Sequence, residues 1–154
     1  MEFINSSSNY FLNKSTYVNL RWIGIIGQFL TINIVAFIFK FEFNYILSNV
    51  IVIFGAVSNI FLINYNRSTH LSNKIAFYYL LADIIQLSLL LYLTGGILNP
   101  FSVFLIIPSV FASSNLNIKT NLILILITIL SISVLTLYHQ ELPSPLNDYK
   151  LSNY

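Results

Sequence analysis

Asp83 is the first residue whose type and position suggest chemistry, because it lies deep inside an apolar segment. It follows Ile75 by eight positions, which places it about 12 Å from the end of a helix. A carboxyl group at that depth needs a partner other than lipid. Gln86 lies one helical turn later on the same face, and Gln28 lies at a similar depth in the first apolar segment. The three side chains predict a polar cluster, which either joins helices by hydrogen bonds or has a proton-linked or ligand-binding role.

The second candidate is the short connection from Thr94 to Phe101, which reads TGGILNPF. Gly95 and Gly96 end one helix and permit positive φ, and Pro100 suits the first turn of the next helix. The pattern therefore predicts a tight helical hairpin. The aromatic ring of Phe101 and the freed backbone groups near the glycines also predict a small amphipathic pocket for a flat ring, with donors at its rim.

Other catalytic or binding patterns are absent from the sequence. His70 and His139 have no His, Asp or Glu at ligand spacing beside them, so we predict no metal site. There is no Walker loop, no zinc-protease helix and no nucleophile elbow, and zero cysteines exclude thiol chemistry. We therefore expect no catalytic domain in these residues. The net charge of +2 is too small and too scattered for a nucleic-acid partner.

The elements that position these residues are membrane helices. The chain is 56% hydrophobic and 8% charged, whereas soluble domains carry about a quarter charged residues. Five segments approach the roughly 20 apolar residues that a bilayer requires: residues 20–39, 45–63, 75–93, 101–115 and 122–138. The predicted fold class is an all-α, polytopic membrane helical bundle with five transmembrane helices. The fourth helix contains Pro108, and it either extends to Lys119 or stays short and kinked.

Small and amide side chains within the spans are expected to serve packing. Gly24 and Gly27 in the first span, and Gly55 in the second, predict close approach between helices. Asn33, Asn49 and Asn59 are expected to form structural hydrogen bonds between helices.

The basic residues outside the apolar segments predict the orientation. One side of the membrane receives Lys14, Arg21, Arg67, Lys74 and Lys119, and the other receives Lys40 and Lys150. The positive-inside rule then places the N-terminus in the cytoplasm. Residues 1–19 form a cytoplasmic polar tail, residues 20–138 the transmembrane domain, and residues 139–154 an external tail.

The turn and its flanks resemble a known family. Residues 95–101 (GGILNPF) match the GGxxNPF heptapeptide of the RegB/PrrB/ActS-type redox-sensing histidine kinases. Residues 83–87 (DIIQL) look like the third transmembrane helix of that family, and residues 20–22 (LRW) with Gly27 and Gln28 look like the first. The resemblance extends over residues 20–145, which is essentially all of the membrane part.

This resemblance implies a six-helix sensor domain in the bacterial inner membrane that reports the redox state of the quinone pool. The implied cofactor is ubiquinone, bound near the external turn between helices 3 and 4. The implied partners are the lipid bilayer, a second copy in a homodimer, and a response regulator that is reached only through a kinase core. The implied quinone-binding residues are Gly95, Gly96, Asn99, Pro100 and Phe101, with Asp83 and Gln86 as weaker candidates.

The sequence also departs from that family. A sixth span, the phosphoacceptor histidine, the ATP-binding domain and the redox-active cysteine are all missing. We therefore expect an N-terminal fragment, either a truncated gene product, part of a split sensor or a partial chain. Two alternatives remain: a small permease or channel subunit that uses Asp83, and a non-functional remnant of a sensor kinase gene.

Overall fold

The computed structural model describes residues 12–65 and 69–142. Five α-helices account for most of this part of the chain: α1 Lys14–Asn33, α2 Tyr45–Tyr65, α3 Asn73–Leu93, α4 Ile107–Asn115 and α5 Ile118–Leu137. A π-helical turn, Ile34–Ile38, extends α1, and two 3₁₀ segments, Gly96–Leu98 and Pro100–Ile106, precede α4. Leu12–Asn13 (β1) and His70–Leu71 (β2) form a short antiparallel pair.

Within the described residues, four helices are long and apolar enough to cross a membrane: Lys14–Ile38, Tyr45–Asn64, Asn73–Leu93 and Ile118–Leu137. Most of their side chains point outward, and Phe54, for example, is 74% exposed. A monomer with so large an exposed apolar surface would aggregate in water, whereas a membrane-spanning bundle requires such a surface. The predicted all-α membrane bundle is confirmed.

The fourth predicted span is a shorter apolar helix, Pro100–Asn115. Its first 7 residues are 3₁₀-helical and its last 9 are α-helical. Because a 3₁₀ helix rises about 2.0 Å per residue, this helix is roughly 27 Å long, close to the bilayer thickness. It does not extend to Lys119, which lies in the first turn of α5. Pro108 lies just after the point where the 3₁₀ segment passes into α4.

The first helix begins at Lys14, earlier than the predicted span. The Asn13 side chain caps it, with Oδ1 accepting hydrogen bonds from the backbone N–H groups of Ser15 and Thr16. Leu12 is buried against the loop before α3 through the β1–β2 pair. The polar stretch that opens α1 hides this start from a hydropathy argument, and it brings Tyr17 into the bundle.

The third helix is the centre of the bundle, because α2, α4 and α5 all pack against it. The first helix packs mainly on α2, and α4 packs on α5. Fully buried leucine and isoleucine side chains fill the core, among them Leu80, Ile84 and Leu124. This arrangement leaves a gap between α1 and α4, with α3 at its base.

The glycines within the helices have two different surroundings. An added Cβ at Gly24 or Gly27 would have no atom within 4 Å, so the predicted close approach of helices there is wrong. Gly55 does permit a close approach, because the side-chain amide of Gln86 lies against it. An added Cβ at Gly55 would lie 2.6 Å from Gln86 Nε2 and 2.7 Å from Cδ.

Candidate ligand-binding site

A half-open cavity of about 710 Å³ lies between α1 and the helix Pro100–Asn115. We call it the α1–α4 cavity. Its walls are mostly aliphatic and aromatic, and its size lies within the range of about 300 to 1,000 Å³ that is usual for small-molecule sites. Three polar features line it in succession: Arg21 with Asp83, then Gln28 with Gln86, and finally the Thr94–Phe101 turn.

Asp83 is held at one end of the cavity by residues of α1. Arg21 Nε and Nη2 each lie 2.9 Å from Asp83 Oδ1. The Tyr17 hydroxyl donates to Asp83 Oδ2 at 2.6 Å. Both carboxylate oxygens therefore have donors, and the side chains of Arg21 and Asp83 are only 5% and 17% exposed. Such pairing compensates an ionised group in an apolar bundle.

Arg21 also joins the first helix to the second. Its Nη1 donates to Asn59 Oδ1 at 3.3 Å, and its Nη2 donates to Ser58 Oγ at 3.2 Å. Asn59 in turn donates to the Val18 carbonyl at 3.2 Å. We call Tyr17, Arg21, Ser58, Asn59 and Asp83 the Arg21 cluster. It ties α1, α2 and α3 together, as a structural hydrogen-bond network would.

The structure distributes the predicted polar cluster over two places. Gln86 Nε2 donates to Gln28 Oε1 at 3.0 Å, whereas Asp83 takes its partners from the Arg21 cluster. The Gln28 side chain is half-buried and lines the α1–α4 cavity. Because three hydrogen bonds occupy Asp83, no observation in the described residues favours the permease alternative.

Arg21 also changes the charge count behind the predicted orientation, because it is 7% exposed and lies within the bundle. Four of the five basic residues then remain on the cytoplasmic side, against two on the other. The sign of the asymmetry is unchanged, and the orientation stays a prediction. Arg67 and Lys150 lie outside the described residues.

The Thr94–Phe101 turn is the tight helical hairpin that the sequence predicts. Gly95 and Gly96 have φ of 104° and 59°, a region that suits glycine. Asn99 Nδ2 donates to the Thr94 carbonyl at 2.9 Å and to Thr94 Oγ1 at 2.8 Å. Asn99 Oδ1 accepts from the Phe101 N–H at 2.9 Å. These contacts use both Asn99 donors, so this amide fixes the turn.

The two glycines face the end of α5. An added Cβ at Gly96 would lie 2.5 Å from His139 Cβ, and one at Gly95 would contact Leu142. The Gln140 N–H donates to the Tyr92 carbonyl at 2.9 Å, which holds the chain after α5 against the turn. Asn99, Pro100 and Phe101 line the α1–α4 cavity, and neither glycine does. Residues 143–154 of the predicted external tail lie outside the described residues.

Comparison with known proteins places this arrangement in a family. Residues 20–154 match the model of the PilS-like transmembrane domain. The chain belongs to that family. This PilS-like domain is 30% identical over 130 residues to the sensor histidine kinase RegB of Cereibacter sphaeroides. The match covers 82% of the chain and 28% of that kinase, so the chain spans little more than a quarter of its relative's length. No solved structure matches it.

These matches identify the PilS-like domain as a transmembrane sensor domain of the RegB-like histidine kinase type, in a multi-pass bacterial membrane protein. The count of basic residues placed Arg21 at the membrane surface, and no sequence pattern predicted a role for Tyr17. A signal for both was present, because Tyr17 and Arg21 are four residues apart and therefore share a helix face. An intramembrane Asp also favours a basic partner.

Proposed function

We propose that this PilS-like domain is the redox-sensing part of a histidine kinase and that it binds a quinone of the ubiquinone class in the α1–α4 cavity. The observation that carries the proposal is the position of the heptapeptide turn. Its last three residues, Asn99, Pro100 and Phe101, form one end of the cavity. A motif associated with quinone binding and a cavity of suitable size thus occur at the same place.

The character of the cavity supports an apolar ligand that moves within the bilayer. Its walls are predominantly apolar, and it is open on one side of a bundle whose outer surface suits lipid. A quinone that is dissolved in the membrane reaches such a site laterally, without crossing water. The few polar groups along the cavity then orient the ring, as in other small-molecule sites.

Phe101 and Phe104 supply the aromatic surface for the ligand. Their ring centroids are 5.7 Å apart, and both residues are close to half exposed. Apolar ligand area that is buried against these two rings contributes about 25 cal/mol per Å². Asn99 acts indirectly, because its hydrogen bonds to Thr94 and Phe101 hold the turn in shape.

Signal output is part of the same proposal. Quinone occupancy changes the state of the helices and, in a dimer, controls a cytoplasmic kinase core that passes phosphate to a response regulator. The residues in this chain contribute the binding step. The resemblance of the heptapeptide and the similarity to RegB support this assignment.

The test is direct binding of a short-tail ubiquinone analogue to the purified protein in lipid nanodiscs. Trp22 is the single tryptophan, and its fluorescence reports on the first helix. We expect saturable quenching in the wild type and a several-fold weaker affinity in Phe101→Ala. Phe54→Ala is the matched control, because that ring points away from the bundle. Equal affinities for the wild type and Phe101→Ala would remove the proposed site.

A further inference from the structure

The Gln28 side chain has unused hydrogen-bonding capacity inside the α1–α4 cavity. A glutamine amide carries two N–H donors and an acceptor oxygen. Gln28 Oε1 accepts from Gln86 Nε2 at 3.0 Å. Gln28 Nε2 donates to none of the residues in the ranges 12–65 and 69–142. A half-buried amide with two open donors favours a ligand that brings acceptors.

A second amide pair in the same bundle, Asn33 with Asn49, differs from Gln28 and Gln86 in its hydrogen bonds. Asn33 Nδ2 donates to Asn49 Oδ1 at 3.0 Å, and Asn49 Nδ2 donates back to Asn33 Oδ1 at 3.3 Å. Asn33 Nδ2 also donates to the Phe29 carbonyl at 2.7 Å. Each amide of this pair therefore both donates to and accepts from the other, and neither residue lines the cavity. The pair joins α1 to α2 away from the ligand space.

The space beside Gln28 is open because its neighbours on α1 are small. Gly24 and Gly27 both line the cavity, and an added Cβ at either would meet no atom within 4 Å. Thr31, one turn after Gln28, lines it as well. The other polar residues at its two ends, Asp83 and Asn99, are occupied by the hydrogen bonds described above. Gln28 is thus the group best able to bind a polar ring edge.

We propose that Gln28 binds a carbonyl oxygen of the quinone headgroup, with Gln86 as its positioning residue, and that the amide pair reverses when the headgroup is reduced. This inference rests on the proposed function. It places the ring in the middle of the cavity. Gln86 precedes Thr94 by eight residues of α3, so the ring lies about 12 Å along the helix axis from the heptapeptide turn. The rest of the ligand then reaches Phe101.

The chemistry of the two redox forms explains the reversal. A quinone carbonyl only accepts, so it pairs with Gln28 Nε2 while Gln28 Oε1 keeps its bond from Gln86. A quinol hydroxyl also donates, and it needs an acceptor. If both amides rotate, Gln28 Oε1 faces the hydroxyl, and Gln28 Nε2 donates to Gln86 Oε1. Each state keeps one hydrogen bond between the glutamines and gains one to the ligand.

Contacts around Gln86 show how the reversal reaches another helix. Its amide lies against Gly55 of α2, where a Cβ would meet Oε1, Nε2 and Cδ together. Rotation exchanges a carbonyl oxygen for an NH₂ group at that contact. The redox state of the ring is thereby presented to α2, which packs against both α1 and α3.

Affinity measurements in nanodiscs test the headgroup assignment. We expect Gln28→Met to weaken binding of both the oxidised and the reduced short-tail analogue by about two- to tenfold, because one hydrogen bond is lost in each case. Asn33→Leu removes the reciprocal amide pair, which lies outside the cavity, and should leave both affinities unchanged. Circular dichroism and size-exclusion profiles establish that both variants fold. Wild-type affinity for both forms in Gln28→Met would overturn the assignment.

Side-chain ¹⁵N NMR tests the reversal, because the chain contains three glutamines: Gln28, Gln86 and Gln140. Exchange of the oxidised analogue for the reduced one should shift the NH₂ signals of Gln28 and Gln86 and leave Gln140 in place. Identical Gln28 and Gln86 signals in the two complexes would overturn the reversal. Absence of binding in the wild type would instead refute the proposed function, so the two failures are distinguishable.

Discussion

The Arg21 cluster and the Gln28–Gln86 pair both join α1 to α3, yet they differ in how completely their hydrogen bonds are satisfied. They lie one helical turn apart on α3 and two turns apart on α1. Asp83 has donors on both oxygens, and Arg21 reaches residues of two other helices. Gln28 lines a cavity, and neither of its N–H donors has an acceptor among residues 12–65 and 69–142. The charged residues would attract attention first in a sequence, but saturation of their hydrogen bonds makes them structural. We propose the recognition site at Gln28 because spare hydrogen-bonding capacity lies there next to open space.

The largest expected effect comes from removing one partner of the charged pair. Asp83→Ala leaves Arg21 buried without its counter-charge, and we expect a loss of about 3–5 kcal/mol in the free energy of unfolding. Unfolding by SDS in mixed micelles measures it. The double variant Arg21→Met/Asp83→Ala removes both charges and should be more stable than Asp83→Ala alone. A single variant as stable as the wild type would mean that the cluster does not hold the bundle together.

A substitution that fills the α1–α4 cavity should reduce ligand affinity without reducing the stability of the fold. Gly24→Leu places a side chain where no atom lies within 4 Å of the new Cβ. A glycine inside a helix is destabilising by about 0.5–1 kcal/mol relative to alanine, so its replacement favours the helix. We expect the affinity for the ubiquinone analogue to fall more than about tenfold, equivalent to 1.4 kcal/mol, without loss of stability. Analogue titration and SDS unfolding of one preparation check both effects. Undiminished binding in this variant would place the ligand elsewhere.

The smallest effect is predicted for the stability of the two amide variants. Asn33→Leu breaks a reciprocal pair, and side-chain hydrogen bonds in membrane proteins average about 0.6 kcal/mol. Gln28→Met breaks a single bond beside a cavity and should cost no more than that. SDS unfolding of the two variants in parallel gives the comparison. A loss for Gln28→Met well above that for Asn33→Leu would make the glutamine pair a structural element like the Arg21 cluster.

The pattern of apolar segments located both ends of α2 and α3 to within two residues, because these ends coincide with polar residues and short loops. The start of α1 was not predictable in the same way. Lys14 to Asn19 read as a polar tail, and only the Asn13 cap and the β1–β2 pair explain why this stretch is helical. The heptapeptide turn was predictable as a hairpin, because GG and NP have few backbone solutions.

The candidate site also has features that the sequence predicted and features that depend on tertiary contacts. The sequence singled out Asp83, Gln86 and Gln28 from the cost of placing polar groups in lipid, which is a local property. The hydrogen bonds from Arg21 and Tyr17 to Asp83 were not predictable, because the rotation of the helices and the start of α1 decide those contacts. Nor did the sequence show that Gly24 and Gly27 border open space, since their type fits close packing equally well.

The sequence by itself determined the class of this protein, a bundle of membrane helices with a glycine-rich turn before its fourth helix. Length, hydropathy and turn chemistry suffice for that, because the bilayer imposes its requirements on each segment separately. Only the tertiary structure decided which polar groups satisfy one another and which remain open beside the α1–α4 cavity. That outcome depends on how five helices meet, which no single segment specifies.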